Sequence, residues 1–115
     1  MRNDWVASHQ ATVQKLANAF VKTLHWIQSH SAAQIAEQMP PDYYAGVGKA
    51  QYVKALDAQR EIFSPDGVMP KGGPETVNKV LAAFDPSVKG HQIDLSKTYT
   101  TQFADKANAT LGAGT

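Results

Sequence analysis

Four histidines are the residues best suited to chemistry: His9, His25, His30 and His91. A zinc or catalytic pair on one helix needs two of them four residues apart, and no pair has that spacing. His25 and His30 point to different faces, and no HExxH pattern exists, so surface roles are expected. Asp57 and Glu61 stand four apart on an expected helix, where two carboxylates can do acid–base or metal work. Lys54 and Arg60 flank them, and a solvated, charge-compensated face is the better account. Lys71-Gly72-Gly73-Pro74 opens a helix and invites an anion at free backbone amides. Pro74 removes a donor there, Glu75 already supplies a carboxylate, and the spacing is not that of a Walker loop, so a helix-entry loop is favoured. No serine stands in a nucleophile elbow. Tyr43, Tyr44 and Tyr52 suit a core with hydroxyls at the rim. Asn108-Ala109-Thr110 matches a glycosylation sequon, a weak signal. The residues give no catalytic site, no metal site, no cofactor and no identified ligand contact, and no enzyme is expected.

These residues are carried by apolar stripes at helical period. Val13, Leu16, Ala17, Phe20, Leu24 and Ile27 mark a helix from about Ser8 to His30. Ser31-Ala32-Ala33-Gln34 reads as a capping box for a short helix with Ile35, Ala36 and Met39 inward, ended by Pro40-Pro41. Asp42 is placed to cap a brief turn through Tyr44. A helix from Lys49 to Phe63 follows, with Tyr52, Val53, Leu56 and Phe63 as its core face. Ser64-Pro65-Asp66-Gly67 has turn chemistry. Pro74 suits a first helical position, and Val77, Val80, Leu81 and Phe84 make a clean stripe. The last helix is expected from Asp94 or Ser96, with Tyr99, Phe103 and Ala107 buried. No strand and no internal repeat are expected. The reading is all-α, about five helices over residues 1–107 and a flexible tail over 108–115.

Composition narrows the function. The 115 residues are 43% hydrophobic and 18% charged, which suits one small folded domain. The net charge is +1, and no two basic residues are adjacent, so no nucleic-acid partner is expected. Cysteine is absent, which removes disulfides and thiolate chemistry. Neither a secretory signal nor a membrane-spanning stretch is visible.

The order of features carries a resemblance. The run Ala19-Phe20-Val21-Lys22-Thr23-Leu24-His25-Trp26-Ile27-Gln28-Ser29-His30 precedes the helix Ser31-Ala32-Ala33-Gln34-Ile35-Ala36. Later come Phe63-Ser64-Pro65-Asp66-Gly67, Gly73-Pro74-Glu75-Thr76-Val77 and Ile93-Asp94-Leu95-Ser96-Lys97-Thr98-Tyr99-Thr100 with Phe103. This resembles the C-terminal third of periplasmic substrate-binding proteins of the nitrate/sulfonate/taurine importer type, related to thiamine-pyrimidine precursor binders. Such proteins are two-lobed α/β molecules that hold a solute in the interlobe cleft and deliver it to an ABC permease. The resemblance implies a periplasmic location, a small-molecule solute and a permease partner. It implies also that the lobes, export signal and most cleft residues precede Met1, so no ligand contact is carried over. A free-standing helical interaction module is the alternative, and an enzyme of the pyrimidine-precursor synthase group ranks last. A segment without its sheet exposes apolar side chains, with Phe20, Leu24, Trp26, Val80 and Phe84 as candidates, and self-association through helix faces is expected.

Overall fold

The computed structural model describes residues 1–112. Among them are six α-helices and no strand: α1 Asn3–Ser8, α2 Gln10–Ser29, α3 Ala32–Gln38, α4 Lys49–Ala58, α5 Gly73–Phe84 and α6 Gln102–Gly112. Single 3₁₀ turns lie at Pro41–Tyr43, Arg60–Ile62 and Leu95–Lys97. The all-α expectation therefore holds, with one helix more than expected.

The main packing is α2 against α6. Gln14 Nε2 donates to the Phe103 carbonyl at 2.9 Å, and His25 lies 2.9 Å from Asn108. The two helices therefore run in the same general direction. Val13, Val21 and Ala107 are buried, with Ala17 and Leu24 half-buried beside them. Ala107 has the small side chain that lets two helix backbones approach. The buried face is rotated from the expected stripe: Phe20 is 68% exposed and Val21 takes the inward place. Phe20 stands one helical step off the line joining Val13, Ala17, Val21 and Leu24, whose three- and four-residue spacing keeps one face.

The bend between α2 and α3 is built as the sequence implies. The Gln34 N–H donates to Ser31 Oγ at 3.3 Å, and the Ser31 N–H donates to Gln34 Oε1 at 2.9 Å, a complete capping box. Ala32, Ile35 and Ala36 are buried on α3, which packs against α4. Arg60 Nη2 donates to the Ile27 and Gln28 carbonyls at 3.2 and 3.4 Å, supplying donors to the last turn of α2.

A five-residue pattern recurs at two helix ends, Trp-x-x-Ser-His, at Trp5–His9 and Trp26–His30. Each copy closes a helix the same way. The rings stack with centroids 4.4 and 4.3 Å apart. His Nδ1 lies 2.9 and 2.8 Å from the tryptophan carbonyl. That oxygen only accepts, so Nδ1 carries the proton; at Trp26 it serves a carbonyl in the last turn of α2, whereas the Trp5 carbonyl also accepts the His9 N–H at 3.0 Å. The serine hydroxyl donates to the same carbonyl at 3.1 and 3.0 Å.

Three element boundaries differ most from expectation. The helix expected over Lys49–Phe63 stops at Ala58, and the chain tightens into the 60–62 turn. Asp94 caps only a 3₁₀ turn, and α6 begins at Gln102; the β-branched, hydroxyl-bearing run Thr98–Thr101 disfavours helix. Tyr99 therefore precedes α6 and is exposed. The tail expected from Asn108 is helical through Gly112, because Asn108 is anchored from three sides. The rest of that expected tail lies outside the described residues.

The fold is open. Its radius of gyration is 17.8 Å, where a compact chain of this length has about 13 Å. Its accessible surface is 8725 Å², where a compact monomer of this size exposes roughly 6100 Å². Removing the capping box tests the local account: Ser31→Ala should cost about 1 kcal/mol in a thermal or urea melt. A change within experimental error would show that the α2–α3 bend is held by packing alone.

Candidate functional site

Helix α5 carries the feature that most needs a partner. Gly72, with φ +81°, turns the chain into it, and its first residues are Gly73 and Pro74. Pro74 thus sits at the second helical position, one later than expected, still within the turn whose N–H groups lack helical acceptors. The Thr76 N–H and hydroxyl both donate to the Gly72 carbonyl, at 3.0 and 2.9 Å. The stripe Val77, Val80, Leu81 and Phe84 forms as expected, but it faces outward: Val77 is 58%, Val80 54% and Phe84 85% exposed. Of the five residues expected on an open surface, Phe20, Val80 and Phe84 are exposed, whereas Leu24 and Trp26 are half-buried.

Beside the stripe lies an apolar groove of 250 Å³ between α5 and the strap of residues 93–99. Met69, Pro74, Val77, Leu81, Ile93 and Tyr99 line it. Two aspartates close local turns, one after α5 and one within the strap. The Ser87 N–H and hydroxyl donate to Asp85 Oδ1 at 2.9 and 2.7 Å, and those of Ser96 donate to Asp94 Oδ1 at 3.1 and 2.5 Å. The Ser87 hydroxyl, then its amide, holds Asp85 below the ordinary carboxylate value of 3.8; the Ser96 hydroxyl does the same to Asp94.

A second cluster joins three parts of the chain. Asn108 Nδ2 donates to the Asp66 and Ala104 carbonyls, both at 2.9 Å. Its Oδ1 is then turned to His25 Nε2 at 2.9 Å, so Nε2 is the donor. The turn at 64–67 is closed by its side chains: Gly67 N–H donates to Ser64 Oγ at 2.9 Å, and Val68 N–H to Asp66 Oδ1 at 2.9 Å. Gly67, at φ +72°, meets α2 so closely that an added Cβ would lie 3.3 Å from Leu24 Cδ1. The amide of the sequon is thus fully engaged, and no sequence signal short of the fold marks that role.

The residues weighed for chemistry are not gathered into one site. His9 and His30 close helices, His25 holds Asn108, and His91 is exposed in a loop. Among the described residues no group of three or more His, Cys, Asp or Glu side chains is arranged to hold a metal. Asp57 and Glu61 no longer share a helix face, because α4 ends between them; Asp57 lies 4.0 Å from Arg60. Tyr44 and Tyr52 pack with ring centroids 5.7 Å apart, while Tyr43 is exposed. A shallow hollow at the α2–α3 bend is lined by Trp26, His30, Gln34, Glu37 and Gln38. No described helix is long and apolar enough to cross a membrane.

No family model matches the chain, and no curated protein is significantly similar to it. The chain is similar to a solved structure of a protein from Bordetella bronchiseptica RB50, 36% identical over 95% of this chain, with a TM-score of 0.88. The chain spans 34% of that protein's length. The likeness therefore covers almost all of the present helices and about a third of a longer molecule.

Two outcomes test this geometry. Asn108→Asp keeps the shape but turns an oxygen toward two carbonyls; it should destabilise by more than Asn108→Ala, which costs about 1–3 kcal/mol for lost buried hydrogen bonds. Equal or smaller loss for the aspartate in a urea melt would contradict the assigned donors. The turns at Asp85 and Asp94 should loosen in acid. Depressed folded values mean the stabilisation is present above about pH 3.8 and is lost as pH falls through the folded values. Amide exchange over 85–97 should quicken in that window after correction for intrinsic rates, and Asp94→Asn should blunt the change.

Proposed function

We propose that the chain is the helical C-terminal part of a solute-binding protein that captures a small molecule of the nitrate, sulfonate or taurine class for ABC-type import. The observation that carries this reading is the order of motifs from Ala19 to Phe103, which resembles that of such binding proteins; the 36% identity and 0.88 TM-score against about a third of a longer protein support only the part of it that makes the chain a segment of a larger molecule. A likeness of that quality to part of a longer chain suits a segment whose open shape is completed by further structure. The outward stripe of α5 supports the same reading, since several large apolar residues in water remove stabilisation of roughly 1.5–3 kcal/mol each. The order of motifs from Ala19 to Phe103 supplies the solute class.

On this reading the helices are scaffold, not chemistry. α2 and α6 hold one another through Val13, Val21 and Ala107, and α5 presents an apolar face to the rest of a lobe. The complete protein binds its solute non-covalently on the periplasmic side, and lobe closure passes it to a permease. No residue of this chain is assigned a solute contact.

The alternative, a free-standing helical interaction module, draws on the same exposed face. A thermal-shift panel separates the two. The 115-residue chain and the complete solute-binding protein should be melted with nitrate, taurine and an alkanesulfonate. One solute should raise the melting temperature of the complete protein, by about 2.7 kcal/mol of stabilisation at a hundredfold excess over Kd, and leave the chain alone unmoved. Failure of every solute on a cooperatively folded complete protein would contradict the import reading.

A further inference from the structure

We infer that Asp66 is a covalent modification site, the place where this chain forms isoaspartate, and that the docked α6 helix guards it. The inference is independent of the import reading. Its chemistry starts from the sequence. Of the eight glycines, Gly67 alone follows an aspartate, and none follows an asparagine. A side chain shields the backbone nitrogen of its own residue, and glycine has none, so the Gly67 nitrogen can attack Cγ of Asp66. The N–Cγ bond forms and the Cγ–OH bond of the protonated carboxyl breaks. The proton of the nitrogen leaves with that hydroxyl as water. The five-membered imide then takes up one water. Opening at the former main-chain carbonyl gives isoaspartate, and opening at Cγ restores aspartate. Water is the only other reactant.

The folded turn holds every group that this step must move. The Gly67 N–H donates to Ser64 Oγ at 2.9 Å. The Ser64 hydroxyl donates in turn to Asp66 Oδ1 at 3.3 Å, and that oxygen also accepts the Val68 N–H at 2.9 Å. The carboxyl is thus tied to the amide beyond Gly67. The Asp66 carbonyl belongs to the peptide plane that must rotate, and it accepts Asn108 Nδ2 from α6 at 2.9 Å. Gly67 is seated on α2: an added Cβ would lie 3.3 Å from Leu24 Cδ1 and 3.4 Å from Val21 Cγ2. Attack therefore requires the turn to leave its seat first, and the rate follows the population of that opened state.

The product does not fit the same seat. Isoaspartate routes the backbone through Cβ and adds one methylene to it. The former Asp66 carbonyl becomes part of a carboxylate on a branch, and Gly67 moves out of register with Leu24 and Val21. Asn108 then loses the main-chain acceptor through which it draws the 64–67 turn onto α2. An undocking of α6 long enough for attack is thereby recorded covalently at the junction that α6 had closed.

Ageing the 115-residue chain at neutral pH tests it. A protease that cuts before aspartate and not before isoaspartate, followed by mass spectrometry, maps and counts the product. In urea, Asp66 should convert fastest of the aspartates. In buffer its rate should fall by on the order of tenfold or more, the factor set by the cost of opening the turn. Ser64→Ala and Asn108→Ala each remove one clamp and leave the reacting atoms intact. Each should raise the rate in buffer about fivefold, the factor for one net hydrogen bond, and leave the rate in urea unchanged. Equal wild-type rates in buffer and urea would overturn the proposal. So would faster conversion at another aspartate in urea, or a rate in buffer that neither variant raises. If one variant loses its helical circular dichroism, the other variant and the wild-type rates decide.

Discussion

Close approach of α2 and α6 holds the molecule together. The helices lie at opposite ends of the sequence, and the chain between them is tied to that pair by few contacts. Ala107 permits the approach, and Val13 and Val21 fill the space beside it. Asn108 adds direction to a contact that apolar packing alone leaves free to slide. Its three hydrogen bonds fix α6 to His25 and bring the 64–67 turn onto α2. Gly67 is needed at that junction twice, for its positive φ and for the missing Cβ.

From this frame the two arms depart. α3 and α4 form one, entered through the Ser31 capping box and held to α2 by Arg60. α5 and its strap form the other, with local turns closed by Asp85 and Asp94. The first arm has a small core in Ala32, Ile35 and Ala36; the second has no fully buried side chain. An apolar stripe on a helix that buries nothing is a face without its partner, and that asymmetry supports the import reading.

The stripes on α2, α3 and α5 were legible because apolar periodicity and end signals agree there. Ser31 and Gln34 mark the start of α3, Pro40 its end, and Pro74 with Asp85-Pro86 bracket α5. α1 was hidden because six residues with Trp5 and Val6 as their larger apolar side chains make no stripe. The overrun past Ala58 has no breaker to announce it, since Gln59 and Arg60 are ordinary helix formers. Phe20 misled because hydrophobicity does not say which of two adjacent apolar residues turns inward. Asn108 was read as tail because its stabilising partners, His25 and Asp66, are distant in sequence. The outward direction of the α5 stripe depends on what stands opposite, which periodicity within one helix does not encode.

α5 presents an apolar face with no cover, while α2 and α6 cover one another. Native-state hydrogen exchange on the 115-residue chain, read residue by residue, measures the difference directly. Amides of α2 and α6 should be protected, and those of α5 should exchange markedly faster. Protection of α5 matching that of α2 would contradict the asymmetry.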